Sequence, residues 1–166
     1  MGLDRIRRRA EADGTPDAPR LPPPWFKHLF WRAHRFGYRM LGERVLWTPQ
    51  STRGWGAMHL TTVGRRSGER RGVIVGYIDD DSSPVVLAMN GWDDGHPAWW
   101  SNLEANPDAV IRLKGEPERE VRARRVGGDE RDRLWRQWAA IDEGLDAYAD
   151  SRTADTPVVV FEPRPT

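Results

Sequence analysis

Six short strand-like runs, divided by clusters of turn-forming residues, constrain the fold more than any other feature of this chain. They are Ala57 to Val63, Gly72 to Ile78, Val85 to Met89, Ala109 to Leu113, Glu120 to Val126 and Pro157 to Glu162. Each has the length of a strand in a small sheet. The Asp79-Asp80-Asp81-Ser82-Ser83-Pro84 cluster and Gly115-Glu116-Pro117-Glu118 are turn sequences. Parallel neighbours need a crossover of a dozen or more residues, and several of these connections are far shorter. The pattern predicts a mainly β fold with some α: about six antiparallel strands in a barrel or sheet with flanking helices.

Two helices fall among the strands. Pro97 to Ala105 reads as one, with Pro97 in its first turn and Asn106-Pro107 ending it. Asp129 is expected to cap the other, which runs to about Asp142 with Leu134, Trp135, Trp138 and Ile141 on one face. A third helix is predicted over 25–43, where Trp25, Leu29, Arg32, Phe36 and Met40 recur about one turn apart and Gly42 is the stop. Residues 1–24 are charged and then proline-rich, and are expected to form a disordered tail. Residues 25–166 then make a single domain with an N-terminal helix.

The connection between the first two strands is Gly64-Arg65-Arg66-Ser67-Gly68-Glu69-Arg70-Arg71. Four arginines and two glycines exceed what a turn needs. Glycine lets the backbone approach a ligand closely, and the arginine fork matches phosphate and carboxylate. The loop therefore points to an anionic small molecule, with a solvated, arginine-rich hairpin tip as the alternative. Twenty-four of the 26 basic residues are arginine, which favours that alternative. The P-loop spacing is missing. A second element runs from Asn90-Gly91-Trp92 to His96-Pro97-Ala98-Trp99-Trp100, at a strand-to-helix junction where free N–H groups suit an anion or a polar ring edge. One of the two tryptophans is expected to pack inward with Leu103 and the other to face a groove, unless both are core. Trp138 and Tyr148, on either side of a bend, form a third element that fits a pocket wall or ordinary core.

Several chemistries are excluded. Cysteine is absent, so there is no disulfide, thiolate metal site or cysteine nucleophile. His28, His34, His59 and His96 have no metal-ligand spacing, and Ser67 lies in no nucleophile elbow. No metal and no catalytic nucleophile are expected. The net charge of +1 gives no global field toward nucleic acid, and no binding motif for it is present. Arg119, Arg122, Arg124 and Arg125 are expected on an exposed strand face. No run reaches the roughly 18 apolar residues of a membrane span, and residues 1–20 lack the apolar core of a secretory signal. A cytoplasmic protein is expected. Trp25, Phe26, Phe30 and Trp31 beside Lys27, Arg32 and Arg35 allow the 25–43 helix either to pack on the barrel or to touch the inner face of the cell membrane. The oligomeric state is not legible.

Together these elements resemble a known family. Leu60-Thr61-Thr62-Val63-Gly64-Arg65-Arg66-Ser67-Gly68, followed by Arg71, is similar to the L-T-T-x-G-R-K-S-G-x-x-R signature of the deazaflavin-dependent nitroreductases, the quinone reductases that use coenzyme F420. His96-Pro97-Ala98-Trp99-Trp100-Ser101-Asn102-Leu103 through Asn106-Pro107 resembles the family's H-P-x-W-Y-x-N-L…N-P segment, and Tyr148 to Val160 resembles its closing strand. The resemblance implies a split β-barrel of the FMN-binding type and hydride transfer from reduced F420 to a quinone or nitroaromatic acceptor. It implies that Arg65, Arg66, Ser67, Gly68 and Arg71 hold the cofactor's phosphate and acidic tail. It places Asn90, Gly91, His96, Pro97 and Trp99 against the ring and its linker, and Trp138 and Tyr148 on the acceptor side. Arg66 stands where lysine is usual, and Glu69 and Asp93-Asp94-Gly95 add negative charge near the acidic tail. Leu145 stands where a second tyrosine is frequent. Related split barrels bind FMN, and a non-catalytic carrier of an apolar or lipid-like molecule is a further alternative.

Overall fold

The computed structural model describes residues 45–51, 54–90 and 94–164. The expected tail over 1–24, the helix over 25–43, and Gly91, Trp92 and Asp93 lie outside the described residues. Six strands and three helices follow a short 3-10 turn at Pro49–Ser51. The strands are β1 (Gly56–Val63), β2 (Arg70–Asp80), β3 (Ser83–Leu87), β4 (Asp108–Arg112), β5 (Arg119–Arg125) and β6 (Val158–Pro163). The helices are α1 (Ala98–Ala105), α2 (Gly128–Ala139) and α3 (Leu145–Asp150). The strands close into a barrel in the order β1-β2-β3-β6-β5-β4, every pairing antiparallel. The strand pattern in the sequence predicts this architecture, and the strand boundaries move by two residues at most.

The barrel interior is filled from alternate positions of each strand. Met58 and Leu60 of β1, Ile111 of β4, Val121 of β5 and Phe161 of β6 are each 1% exposed or less. Trp99, Trp100 and Leu103 of α1 join the same cluster, so α1 plugs one end of the barrel. A second cluster lies between strands and α2: Ile78, Val85, Val158 and Val160 pack with Leu134, Trp135, Trp138 and Ile141.

Two details of the helices differ from the sequence reading. Gly127, not Asp129, occupies the N-cap of α2, and no side chain bonds the free N–H groups there. Asp129 and Glu130 instead sit in the first turn, where their charge favours the helix dipole. The bend after α2 leads into a separate helix, α3, with Leu145 as its buried residue.

Antiparallel pairing fixes which connections share an end of the barrel. The β1–β2 loop, the 88–97 junction, the start of β4, the end of β5 and residues 152–157 all gather at one end. The Asp81-Ser82 turn, with φ of 49° and 68°, and the β4–β5 turn lie at the other.

Candidate active site at one end of the barrel

The β1–β2 loop is built to hold its arginines still. Gly64 N–H donates to the Glu69 carbonyl and Gly68 N–H to the Gly64 carbonyl, both at 2.8 Å. Gly68 has φ +68°, the left-handed region that suits glycine. A Cβ on Gly64 would stand 2.8 Å from Ser67 Oγ and 3.2 Å from the Glu69 carbonyl oxygen, so glycine is needed for the loop to close. Ser67 Oγ accepts from Glu69 N–H (3.3 Å) and from Arg71 Nη2 (3.4 Å). Its own proton is left to donate. Arg71 is also paired with Glu69 at 2.7 Å. Both side chains of that pair are exposed, so Glu69 offsets part of the Arg71 charge. Arg66 is exposed and has no carboxylate partner among the described residues.

One residue without an assigned role in the sequence reading fastens this loop to α1. Asn102 is 5% exposed. Its Nδ2 donates to Thr62 Oγ1 at 3.1 Å, and its Oδ1 accepts from Arg65 N–H at 3.1 Å and from Arg65 Nη1 at 3.5 Å. Loop, strand and helix are locked through one buried amide. The sequence signal was its place in the H-P-x-W-Y-x-N-L-like segment.

The α1 entry is tied across the same end. Pro97 is the N-cap, with extended backbone. His96 Nε2 lies 3.4 Å from Asp155 Oδ1, and Asp155 Oδ2 accepts from Arg125 at 2.5 Å. Asp94 accepts from the Thr153 hydroxyl and from the N–H groups of Gly95, Thr153 and Ala154. The Thr153 hydroxyl, then the Ala154 and Gly95 amides, hold its pKa down at about 2. Arg152 Nη2 donates to the Gly95 carbonyl at 2.7 Å.

The structure brings Arg65, Arg66, Ser67, Gly68, Arg71, His96, Pro97 and Trp99 to one end of the barrel, with Asn90 half-buried beside them. Gly91 lies outside the described residues. Trp99 and Trp100 are 8% and 5% exposed, so neither opens onto a groove. An eight-residue helix lying in the mouth of a barrel has wall on both sides, and both rings are buried. Trp138 is elsewhere. Its ring tip would lie 3.8 Å from a Cβ on Gly76, beside Trp55. Gly76 is six residues along β2 from Arg70, about 20 Å at a strand's rise per residue. Trp138 packs in the second cluster, toward the barrel end opposite the arginine loop. Tyr148, half-buried on α3, lies one turn before the ties at 152–154.

A groove of about 330 Å³ opens on the outer wall, floored by Thr61, Val63 and Val110. Arg164 at its rim is paired with Glu120 (3.3 Å) and Asp108 (3.6 Å), and Arg70 of the arginine loop also lines it. No group of residues suited to a metal ion occurs among the described residues.

Ser67 with a free hydroxyl proton, the unpaired Arg66 and the open space at Gly68 fit an anionic group such as a phosphate ester. The closed six-stranded antiparallel barrel, with this arginine-rich loop at one end, is a split-barrel fold. The chain belongs to the F420H(2)-dependent quinone reductase family, whose model matches residues 33–163. Members are oxidoreductases that depend on reduced F420, and this chain is one of them. It is 30% identical over 128 residues to an F420H(2)-dependent quinone reductase of Mycobacterium tuberculosis, covering 75% of this chain and 80% of that one. A second relative from the same organism is 34% identical over 106 residues, covering 60% of this chain and 83% of its own length. A solved F420-H2 dependent reductase superposes with a TM-score of 0.57 at 25% identity, covering 64% of this chain and 93% of that one.

Proposed function

We propose that this protein passes a hydride from reduced F420 to a quinone, and that activated nitroaromatics are a second acceptor class. The observation that carries the cofactor assignment is the Arg66-Ser67-Gly68…Arg71 loop, held closed by its own backbone and by Asn102. When bound, F420 supplies the hydride; the protein supplies binding, orientation and electrostatics. Arg66 and Arg71 neutralise the phosphate, Ser67 donates to it and Arg65 flanks it. Gly68 allows close backbone approach. His96, Pro97 and the edge of Trp99 border the ring side, with Asn90 and Gly91 leading into it. Tyr148 faces the acceptor. Trp138, near the end of α2, packs on the strands away from the arginine loop and acts only through packing.

The test is a fluorescence titration with deazaflavin, run beside FMN. Replacing Arg66 and Arg71 together by alanine lowers deazaflavin affinity by about an order of magnitude or more, while the far-ultraviolet spectrum is kept. Unchanged affinity refutes the anchor assignment. A yellow chromophore retained through purification would assign FMN instead, and tight lipid binding without turnover would make the protein a carrier.

No helix among the described residues is long and apolar enough to cross a membrane. Residues 25–43 suit contact with an anionic bilayer that holds a quinone, and vesicle flotation with and without them checks this.

A further inference from the structure

His96 sits on the loop that opens α1, yet its ring is held from the barrel. Gly95 before it has φ +85°, and Pro97 after it caps the helix. The carboxylate it meets belongs to a better fastened stretch. Asp155 is followed by Thr156 and Pro157, both buried, and the Pro157 carbonyl accepts from Ala88 N–H at 2.8 Å. Asp155 uses both oxygens: Oδ1 lies 3.4 Å from His96 Nε2, and Oδ2 accepts from Arg125 Nη2 at 2.5 Å. Arg125 ends β5, and the next residue, Val126, donates its N–H to the Val158 carbonyl at 3.0 Å. Arginine, carboxylate and imidazole form a chain that starts on the barrel frame and ends on His96.

A carboxylate beside one ring nitrogen draws the proton to that nitrogen and so fixes the tautomer. With the proton on Nε2, His96 Nδ1 is left as an acceptor. It is buried and has no hydrogen-bond partner among the described residues, although the side chain as a whole is 29% exposed. A buried acceptor without a donor is unfavourable, and a ligand N–H placed there relieves it. The other charges beside this loop have their own partners. Asp94 accepts from Thr153, Gly95 and Ala154, and Arg152 Nη2 donates to the Gly95 carbonyl. We propose that Asp155 and Arg125 are positioning residues for the cofactor: they hold the His96 ring with Nδ1 turned to accept from an N–H on the polar edge of the bound deazaflavin ring. This rests on the F420-dependent reading. Neither residue lies in the arginine loop or in the 90–99 segment, and both act only through the imidazole.

The experiment uses the full chain with its histidine ring nitrogens isotopically labelled for magnetic resonance, the His96 signals being identified by their loss in His96→Ala. In the free protein, His96 Nδ1 has the shift of an unprotonated ring nitrogen, and Asp155→Asn moves it toward the average of the two tautomers. Added deazaflavin shifts the wild-type Nδ1 signal in the direction of a hydrogen-bonded acceptor. In a fluorescence titration His96→Ala raises the deazaflavin Kd about three- to tenfold, the worth of one neutral hydrogen bond. Asp155→Asn raises it by a similar factor. Arg125→Ala raises it less, and Arg125→Lys restores most of that loss. The double variant of His96→Ala with Asp155→Asn binds no more weakly than His96→Ala alone. Asp155 and Arg125 are both about half exposed, so their variants carry the test if His96→Ala does not fold. An unchanged Kd in Asp155→Asn, factors that multiply in the double variant, or an Nδ1 signal that deazaflavin leaves in place would each overturn the proposal. A wild-type chain that binds no deazaflavin sinks the functional reading, and the ligand assigned to Nδ1 with it; the free-chain signal separates that failure from a failure of Asp155 to fix the ring.

Discussion

Replacing Asn102 by alanine is the most informative single change in the described structure. The amide is 5% exposed and makes two bonds of 3.1 Å, to Thr62 Oγ1 and from Arg65 N–H. The third, from Arg65 Nη1 at 3.5 Å, is too long to count for much. Two net bonds contribute about 1–3 kcal/mol, and a buried hydroxyl left without its partner costs about 1–3 kcal/mol more. Thr62 is 1% exposed and bears that cost, whereas the Arg65 N–H lies nearer solvent and recovers part of its own. The expected loss is about 2–4 kcal/mol, read as a shift in the urea midpoint at unchanged slope. Because the same amide fixes the Arg65 backbone, deazaflavin affinity falls as well, by about tenfold for one freed loop contact. Asn102→Asp separates the two effects. It keeps the acceptor for Arg65, and the Thr62 hydroxyl can turn to donate, so less stability is lost. A variant Asn102→Ala that loses under about 1 kcal/mol and binds deazaflavin as before would refute the argument that one buried amide sets the loop.

The remaining predictions concern glycines, core and pH. Gly64→Ala drives a methyl against Ser67 Oγ and the Glu69 carbonyl; cofactor affinity falls in a titration, with a stability loss of about 1–3 kcal/mol. Leu134→Ala, at 0% exposure under α2, costs about 2–5 kcal/mol in denaturant unfolding and leaves deazaflavin affinity unchanged. Asp94 has its carboxyl depressed to about 2, so the stabilisation it gives is complete above the ordinary carboxyl value of 3.8 and disappears as pH falls toward 2; Asp94→Asn flattens a stability-versus-pH curve in that window. His59 has its pKa lowered by burial first and by Arg112 second, so protonation opposes the fold and stability declines as pH drops below 6.5; His59→Gln removes that slope.

The barrel was legible because each strand declares itself locally, through five to eleven residues of β-type sequence between turns. The arginine loop was legible for the same reason. What escaped was non-local. Periodicity assigns Trp138 to a face of α2 but cannot say which end of the barrel that face reaches, and the ring lies by Gly76 instead of the loop. Trp99 and Trp100 point apart on a helix, which suggests one buried and one free; the barrel mouth encloses both. Leu145 to Asp150 is only six residues, too short for a helical stripe to show, so α3 was not anticipated. Asn102 meets partners 37 and 40 positions away, and Asp94 meets Thr153 at a separation of 59. No spacing rule connects such pairs.

The tight Asp81-Ser82 corner sits at the end of the barrel opposite the arginine loop. A cysteine installed there, in a chain that has none of its own, would be a unique handle. Molecules anchored through it to an electrode or a bead would all stand the same way up, with their working mouths open to the medium.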